Sequence, residues 1–458
     1  MKNLLAASLI ALFLATSMLP QSDGDLKAVI EKDRMSRTTD GKLMTLAAGE
    51  HVIRGYIYLD NRHFTEAEQH FQKVLDVYPT DPLIQRALFG MGRSLMWERK
   101  YKEAIPYFDR VAREFAASKD GREGLYFGAS CNLRIGRNDD AARLWQQYTV
   151  MYPTGERIDG SYVNSIDALR EAGRDAEAND WVEKTRQRFP GQPTETNALH
   201  ARLRMQINRG KWADAEATAA LMQAQAKFAG SLTSEDEVKY LRGIALEKQK
   251  KDDAAVWTFS SVSLTSYYYG LVQDRIGYLM SGNVDVLGTR RKPPRNPSDF
   301  PAAFRDDVLR ESKKRKLDPR FILAIMKQES SFRPGVKSGS AARGLLQLTI
   351  DTALKYNKKA GYPNLQPDDL YVPATNIAIG CEYIADLNKQ FDGLYEAIAA
   401  SYNGGEDNAA RWLSHTKPKD PGIFASEVGF AETKNYVFKV MTNYRTYKDL
   451  YDENLVRR

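Results

Sequence analysis

The chain has 458 residues, 43% of them hydrophobic and 27% charged, which excludes a disordered chain and leaves room for two or three domains with real cores. Its formal charge of +7 favours an acidic or polyanionic partner without selecting one. Lysine and arginine do not gather with aromatics on one stripe, so nucleic acid is not an expected partner. The five histidines lack metal-ligand spacing and no glycine pattern cradles a phosphate, so neither a metal nor a cofactor is expected.

In chain order, residues 1–22 read as a signal peptide. Lys2 gives the positive start, Leu4 to Leu14 the apolar core, and Ala15-Thr16-Ser17 the small residues before cleavage. The apolar run is shorter than a membrane span of about 20 residues; an uncleaved anchor is the alternative. No cysteine lies near the cleavage site, so a lipoprotein is not expected. Export to the periplasm is.

Residues 23–265 are expected to hold a helical repeat array. The segments "RHFTEAEQHFQKVLDVYP", "RKYKEAIPYFDRVAREFA", "GRNDDAARLWQQYTVMYP" and "GRDAEANDWVEKTRQRFP" align on Ala67, Ala104, Ala141 and Ala178, and "GKWADAEATAA" continues the series at Ala215, each 37 residues after the last. Phe71, Phe108 and Trp145 follow four positions later, and Tyr78, Phe115, Tyr152 and Phe189 eleven positions later. Pro79, Pro153 and Pro190 come next, with Ala116 as the exception, and a drifted sixth unit lies near "KKDDAAVWTFSSV". The small Ala lets two helices approach, the aromatic fills the gap to the next unit, and the Pro ends the helix. The pattern resembles tetratricopeptide repeats in a slightly longer form. Such an array is either a curved scaffold that positions another domain or a concave groove that binds a polymer or a protein.

Residues 266–299 read as a connecting helix and a Pro/Arg-rich linker, "GTRRKPPRNPSDFP". Tyr267, Tyr268 and Tyr269 there are either substrate-stacking aromatics or packing between domains.

The last segment, 300–458, starts a helix at Asp318, whose carboxylate can cap the backbone, with Pro319 in the first turn. Ile322, Ile325, Met326 and Glu329 then share one face. A carboxylate on an apolar stripe at a helix C-terminus is disfavoured as an anion by burial and by the helix dipole. Both effects raise its pKa towards what a general acid needs. No other acid occurs until Asp351.

Four motifs then come in order: Glu329-Ser330, Gly344-Leu345-Leu346-Gln347, Ser401-Tyr402-Asn403 and Glu432-Thr433-Lys434…Tyr436-Val437, with "VPATNIAIGCEYI" between them. From about Phe300 to Leu450 they resemble the catalytic domain of soluble lytic murein transglycosylases. The resemblance implies an all-α chain: a tetratricopeptide-like helical solenoid followed by a lysozyme-like, mainly helical catalytic domain. It implies cleavage of the β-1,4 bond between N-acetylmuramic acid and N-acetylglucosamine in peptidoglycan glycan strands, leaving a 1,6-anhydromuramic acid end. Glu329 would be the catalytic residue, first acid and then base, where most glycosidases use two carboxylates. By the same resemblance Ser338 contacts substrate near the acid, Gln347 bonds the glycan, and Tyr402 sets its hydroxyl near Glu329. Asn403 binds substrate or caps a turn, and Glu432 and Tyr436 share a face in the sugar cleft. A monomer is expected.

The sequence departs from the family pattern at Leu346 and Thr349, where Met is usual, at "VGF" 428–430 and at "SYNGG" 401–405. Two other readings stand beside the transglycosylase. One is a water-using muramidase on the same fold, with Asp351 as its candidate second acid; the other is a non-catalytic peptidoglycan-binding scaffold. Of the two cysteines, Cys381 lies on an apolar stripe and is expected to be a buried free thiol.

Overall fold

The computed structural model describes residues 23–280 and 296–458. The expected signal peptide and most of the expected linker lie outside them. The described residues form 22 α-helices, two short 3-10 turns and isolated bridges, with no β-sheet. None of these helices is long and apolar enough to cross a membrane.

The chain divides into two compact units. The first contains the described residues up to Gln187 together with the loop Ser338–Ala341; the second contains Arg188–Lys337 and Ala342–Arg458. The first unit opens with α1 (Asp23–Met35). Helical pairs follow: α2 (Ala48–Asp60) and α3 (Phe64–Val77), α4 (Ile84–Trp97) and α5 (Tyr101–Glu114), α6 (Lys119–Arg134) and α7 (Asn138–Met151), α8 (Ile158–Glu171) and α9 (Asp175–Arg188).

The aligned residues form the core of these pairs. Ala67, Ala104, Ala141 and Ala178 are all fully buried, as are Phe71 and Phe108. Phe71 of α3 is wedged between α2 and α4. A Cβ added at Gly55 or Gly90 would come within 2.7 or 2.4 Å of its ring. The aromatic therefore needs a notch on both neighbouring helices, and glycine supplies it. The Pro residues fall just past helix ends, after Val77, Met151 and Arg188. Tyr152, near one such end, donates its hydroxyl to the carbonyl of Ala116 at 2.9 Å.

α1 is fixed by a buried polar relay. Asp33 accepts from Arg54 at 2.7 Å and from Tyr58 at 3.0 Å, and it lies 2.9 Å from His70 Nε2. His70 Nδ1 meets His51 Nδ1 at 2.9 Å, and His51 Nε2 accepts the amide of Leu46 at 3.0 Å. The Leu46 bond makes His51 Nε2 an acceptor, so His51 Nδ1 carries the proton. His70 Nδ1 then accepts, and its Nε2–H points at Asp33.

The second unit begins inside the repeat array. α10 (Pro193–Asn208), α11 (Trp212–Gln225), α12 (Glu235–Lys248) and α13 (Asp252–Ser260) carry Ala215 and Ala255, both fully buried, and Phe259 continues the aromatic series. α14 (Tyr268–Leu279) follows, then α15 (Arg305–Arg315), α16 (Pro319–Ser330), α17 (Ile350–Ala360), α18 (Pro373–Gln390), α19 (Tyr395–Gly404), α20 (Glu406–Ser414), α21 (Pro421–Glu427) and α22 (Ala431–Leu450). The last repeat helices and the C-terminal helices thus pack as one body.

Polar and aromatic contacts explain why. Asp420 caps α21 by accepting the amide of Ile423 at 2.8 Å, and also accepts Tyr240 of α12 at 2.9 Å and Arg275 of α14 at 2.6 Å. Arg204 of α10 pairs with Glu427 at 3.1 Å. The three tyrosines at 267–269 are buried. Tyr267 stacks on Phe438 with ring centroids 4.7 Å apart and donates to Glu396 at 3.0 Å. Of their two expected roles, packing is the one their surroundings fit. Cys131 and Cys381 are both buried and free; burial pushes each thiol up to about 12.

Candidate active site

α16 carries Glu329 in its last turn. Asp318 accepts the amide of Arg320 at 2.9 Å and Pro319 opens the first turn. Ile322, Ile325 and Met326 are fully buried. The helix stops abruptly: Ser331 and Phe332 both take positive φ, at 50° and 65°. Left-handed backbone at non-glycine residues costs energy and gathers at functional sites.

Glu329 is half-buried, with its carboxylate enclosed on most sides. Tyr436 of α22 donates its hydroxyl to Glu329 Oε1 at 2.6 Å. Loss of solvation raises the carboxyl from its ordinary 4.5 to about 7, against the lowering effect of the Tyr436 bond and with help from the charge of Glu432. A proton is therefore held close to neutral pH at a group that still has solvent access.

A buttressed loop lies beside it. Residues 336–348 close on themselves: Gly344 N donates to Val336 O at 3.0 Å, and Arg343 and Leu348 exchange backbone bonds at 2.9 and 3.0 Å. Asn376 of α18, fully buried, pins the loop from below. Its Oδ1 accepts the amide of Leu346 at 2.8 Å, and its Nδ2 donates to Arg343 O at 3.0 Å and Leu370 O at 2.8 Å. Gly344 has φ +79°, and a Cβ there would lie 2.0 Å from Leu370 O. Only glycine fits.

The expected site residues fall as follows. Burial, and after it the nearby charge of Glu329, push the Tyr402 hydroxyl above its ordinary value. Its hydroxyl, however, donates to Leu346 O at 2.7 Å. The hydroxyl hydrogen-bonded to the acid is that of Tyr436. Which tyrosine reaches the carboxylate is decided by how α22 packs on α16. Gln347 has φ 45° and spends its Nε2 on the loop, at 3.0 Å to Val336 O and 2.8 Å to Gly344 O. Its amide nitrogen thus holds the loop. Asn403 is exposed and accepts Thr433 Oγ1 at 2.7 Å. Glu432 is exposed one turn before Tyr436, on the side of Glu329. Ser338 falls with the first unit; within its own loop its Oγ accepts the amide of Ser340 at 3.3 Å. Among the described residues no cluster of His, Cys, Asp or Glu could hold a metal.

One site residue escaped the sequence reading. Asn376 sat unremarked within an apolar helix run, where a buried amide is the only signal. Leu346, at a usual Met position, is fully buried and packs where a Cβ on Gly380 would meet its Cδ1 at 2.4 Å.

Residues 308–424 match the family model described as Transglycosylase SLT domain, and residues 54–120 and 89–156 match Tetratricopeptide repeat models. The chain is similar to the soluble lytic murein transglycosylase of Salmonella typhimurium, 33% identical over 144 residues, which are 31% of this chain and 22% of that protein. The Escherichia coli protein of the same name matches at the same identity and coverage. Membrane-bound lytic murein transglycosylase C of Shigella sonnei is 32% identical over 164 residues, 31% of this chain and 45% of that one. The chain is thus matched to about a fifth of the length of the first of these relatives. An inactive mutant of lytic transglycosylase Slt from Pseudomonas aeruginosa shares the fold, with a TM-score of 0.51 at 18% identity, over 87% of this chain and 72% of that one.

Proposed function

We propose that this chain, which carries an SLT domain behind tetratricopeptide repeats, is a peptidoglycan lytic transglycosylase with Glu329 as its acid–base residue. The observation that carries the reading is the Glu329 carboxyl itself, raised to about 7 with a tyrosine hydroxyl on one oxygen. An acid that must later act as a base works best with a pKa near the working pH, because both protonation states are then accessible.

In the proposed reaction Glu329 donates its proton to the oxygen of the β-1,4 bond between N-acetylmuramic acid and N-acetylglucosamine. The bond from the muramic anomeric carbon to that oxygen breaks. The carboxylate then takes the proton of the muramic 6-hydroxyl, whose oxygen closes on the anomeric carbon to form the 1,6-anhydro end. Glu329 regains its proton and no water is consumed. The sugar's own hydroxyl, held next to the reacting carbon, replaces a second carboxylate. Tyr436 steadies the carboxylate between the two steps by donating to its charged form. Glu432 and Asn403, at the exposed rim, and Ser338 and Gln347 are the proposed glycan contacts.

The substrate is the polyanionic wall polymer, which agrees with a net charge of +7. Periplasmic location after removal of residues 1–22 belongs to the same proposal. So does recruitment of cell-wall proteins by the repeats. The test is release of soluble fragments from purified sacculi by residues 23–458, beside Glu329→Gln. General acid–base catalysis contributes about 10²–10⁴-fold, so the variant should be nearly silent. Equal release by both proteins would remove Glu329 from the reaction.

A further inference from the structure

The first two turns of α22 carry the residues that govern the acid, yet the helix has no side-chain cap: Phe430 precedes it and supplies none. Helix starts are usually fixed by such a cap. Here three other contacts fix it. Thr433 donates to Asn403 at 2.7 Å. Lys434 Nζ donates to the carbonyl of Ser426 at 3.2 Å. Lys434 also reaches Glu237 of α12, at 2.9 Å to Oε1 and 3.2 Å to Oε2.

The last contact is the costly one. Lys434 is 3% exposed and Glu237 fully buried. Two charges out of water persist only when paired with good geometry. Glu237 is faced by Lys434 from α22, by His200 of α10 at 2.7 Å, and by Tyr268 of α14. Arg204 and Glu427 add charge around Lys434. Burial alone would push the Glu237 acid up; Lys434 and His200 outweigh it and hold it at about 2. Glu237 is therefore a carboxylate throughout the range in which Glu329 titrates, and burial draws the Lys434 amine facing it below its ordinary 10.5, against the pull of that carboxylate.

Lys434 stands between Glu432 and Tyr436 in sequence, and its side chain leaves the helix away from them. A clamp on Lys434 sets the rotation of α22 about its axis. That rotation sets the 2.6 Å bond from Tyr436 to Glu329. We propose that Glu237, a residue of the repeat array, is a positioning residue for the acid: through Lys434 it holds Tyr436 on Glu329. The repeats then take part in setting the proton on Glu329, beyond carrying the domain. This rests on the reading of Glu329 as the proton-carrying residue, but its test does not require turnover.

The groups facing Glu329 are Tyr436 and Glu432 of α22 and Tyr402 of α19, with Tyr383 of α18 behind the two tyrosines. Tyr436 and Glu432 both ride on α22 with Lys434, Tyr436 as the hydrogen-bond donor to Glu329 and the exposed Glu432 as a charge near it. The experiment is a ¹³C-carboxyl titration of the full chain labelled at glutamate, with the Glu329 signal assigned by its loss in Glu329→Gln. In Glu237→Gln the midpoint should rise by about one pH unit, the worth of one hydrogen bond to a charged group. In a Tyr436→Phe background, adding Glu237→Gln should move nothing further. Arg204→Gln breaks an ion pair in the same interface and should lower stability while leaving the midpoint in place. Should Glu237→Gln not fold, Glu237→Gln with Lys434→Met leaves no orphan charge and should show the same rise. An unmoved midpoint in the folded variant, or an equal rise in the Tyr436→Phe background, would overturn the proposal. Loss of sacculus digestion with the titration behaving as described would fault the reaction and leave the positioning role standing.

Discussion

Replacing Glu329 by Gln should stabilise the protein in a pH-dependent way. The folded carboxyl titrates at about 7 against an ordinary 4.5, so its neutral form is the one the fold prefers. Below pH 4.5 the acid is protonated in folded and unfolded chains alike, and its contribution is fully present. That contribution is lost as pH rises through 7. The difference of 2.5 units, at 1.36 kcal/mol each, gives about 3 kcal/mol, and partial solvent access reduces it to roughly 2–3 kcal/mol. Gln is neutral at every pH and its Oε1 can still accept from Tyr436. The variant should therefore match the wild type within about 1 kcal/mol at pH 4 and exceed it by roughly 2–3 kcal/mol at pH 8. Because the chain has two compact units, the transition to follow is that of the second, monitored by hydrogen exchange in α16 and α22. At roughly 2–4 °C per kcal/mol the gain in melting temperature at pH 8 is roughly 4–12 °C. A stability difference that is the same at pH 4 and pH 8 would refute the burial argument for the acid.

Gly344→Ala should cost more than about 3 kcal/mol and abolish digestion, because positive φ and a 2.0 Å approach to Leu370 O cannot both be relieved; circular dichroism with a muropeptide assay reads both. Phe108→Ala should lose about 3–5 kcal/mol from the first unit by leaving a cavity in a fully buried wedge, measured by guanidinium unfolding. The first unit should also loosen in acid. His51 is held at about 4, below its ordinary 6.5, chiefly by burial, so stability present above pH 6.5 is lost as pH falls towards 4. Asp33, held at about 2 against burial by His70 and Arg54, adds a loss below pH 3.8. Amide exchange in α1 and α2 between pH 7 and 3 should rise in that window, and His51→Gln should remove its upper part.

Much of this was readable in the sequence, and the exceptions have physical causes. The alanine ladder and its aromatics were visible because each residue recurs at a fixed spacing and all the ladder alanines are fully buried. The matching notches at Gly55 and Gly90 were not, since glycine inside a helix reads as a weakness until the ring it receives is known. The upward shift at Glu329 follows from an apolar stripe and a helix end, both local. Its hydroxyl partner does not. Tyr402 and Tyr436 each sit on a helix that can face the acid, and only the crossing of α16 and α22 gives the bond to Tyr436. The hold of Asn376 on the loop was equally hidden, because all its partners are backbone atoms from distant turns. The repeat pattern continues past residue 188, yet α10 to α14 pack with the C-terminal helices. Buried pairs such as Arg204–Glu427 join residues 223 positions apart, which no periodicity reveals.

Mass spectrometry of the fragments released from purified sacculi tests the one-carboxylate mechanism most directly. Wild-type protein should yield muropeptides ending in 1,6-anhydromuramic acid, each lighter by one water than its hydrolysed counterpart, and Glu329→Gln should yield almost none. Reducing ends from the wild type would contradict the mechanism and make the chain a hydrolase that needs a second acid.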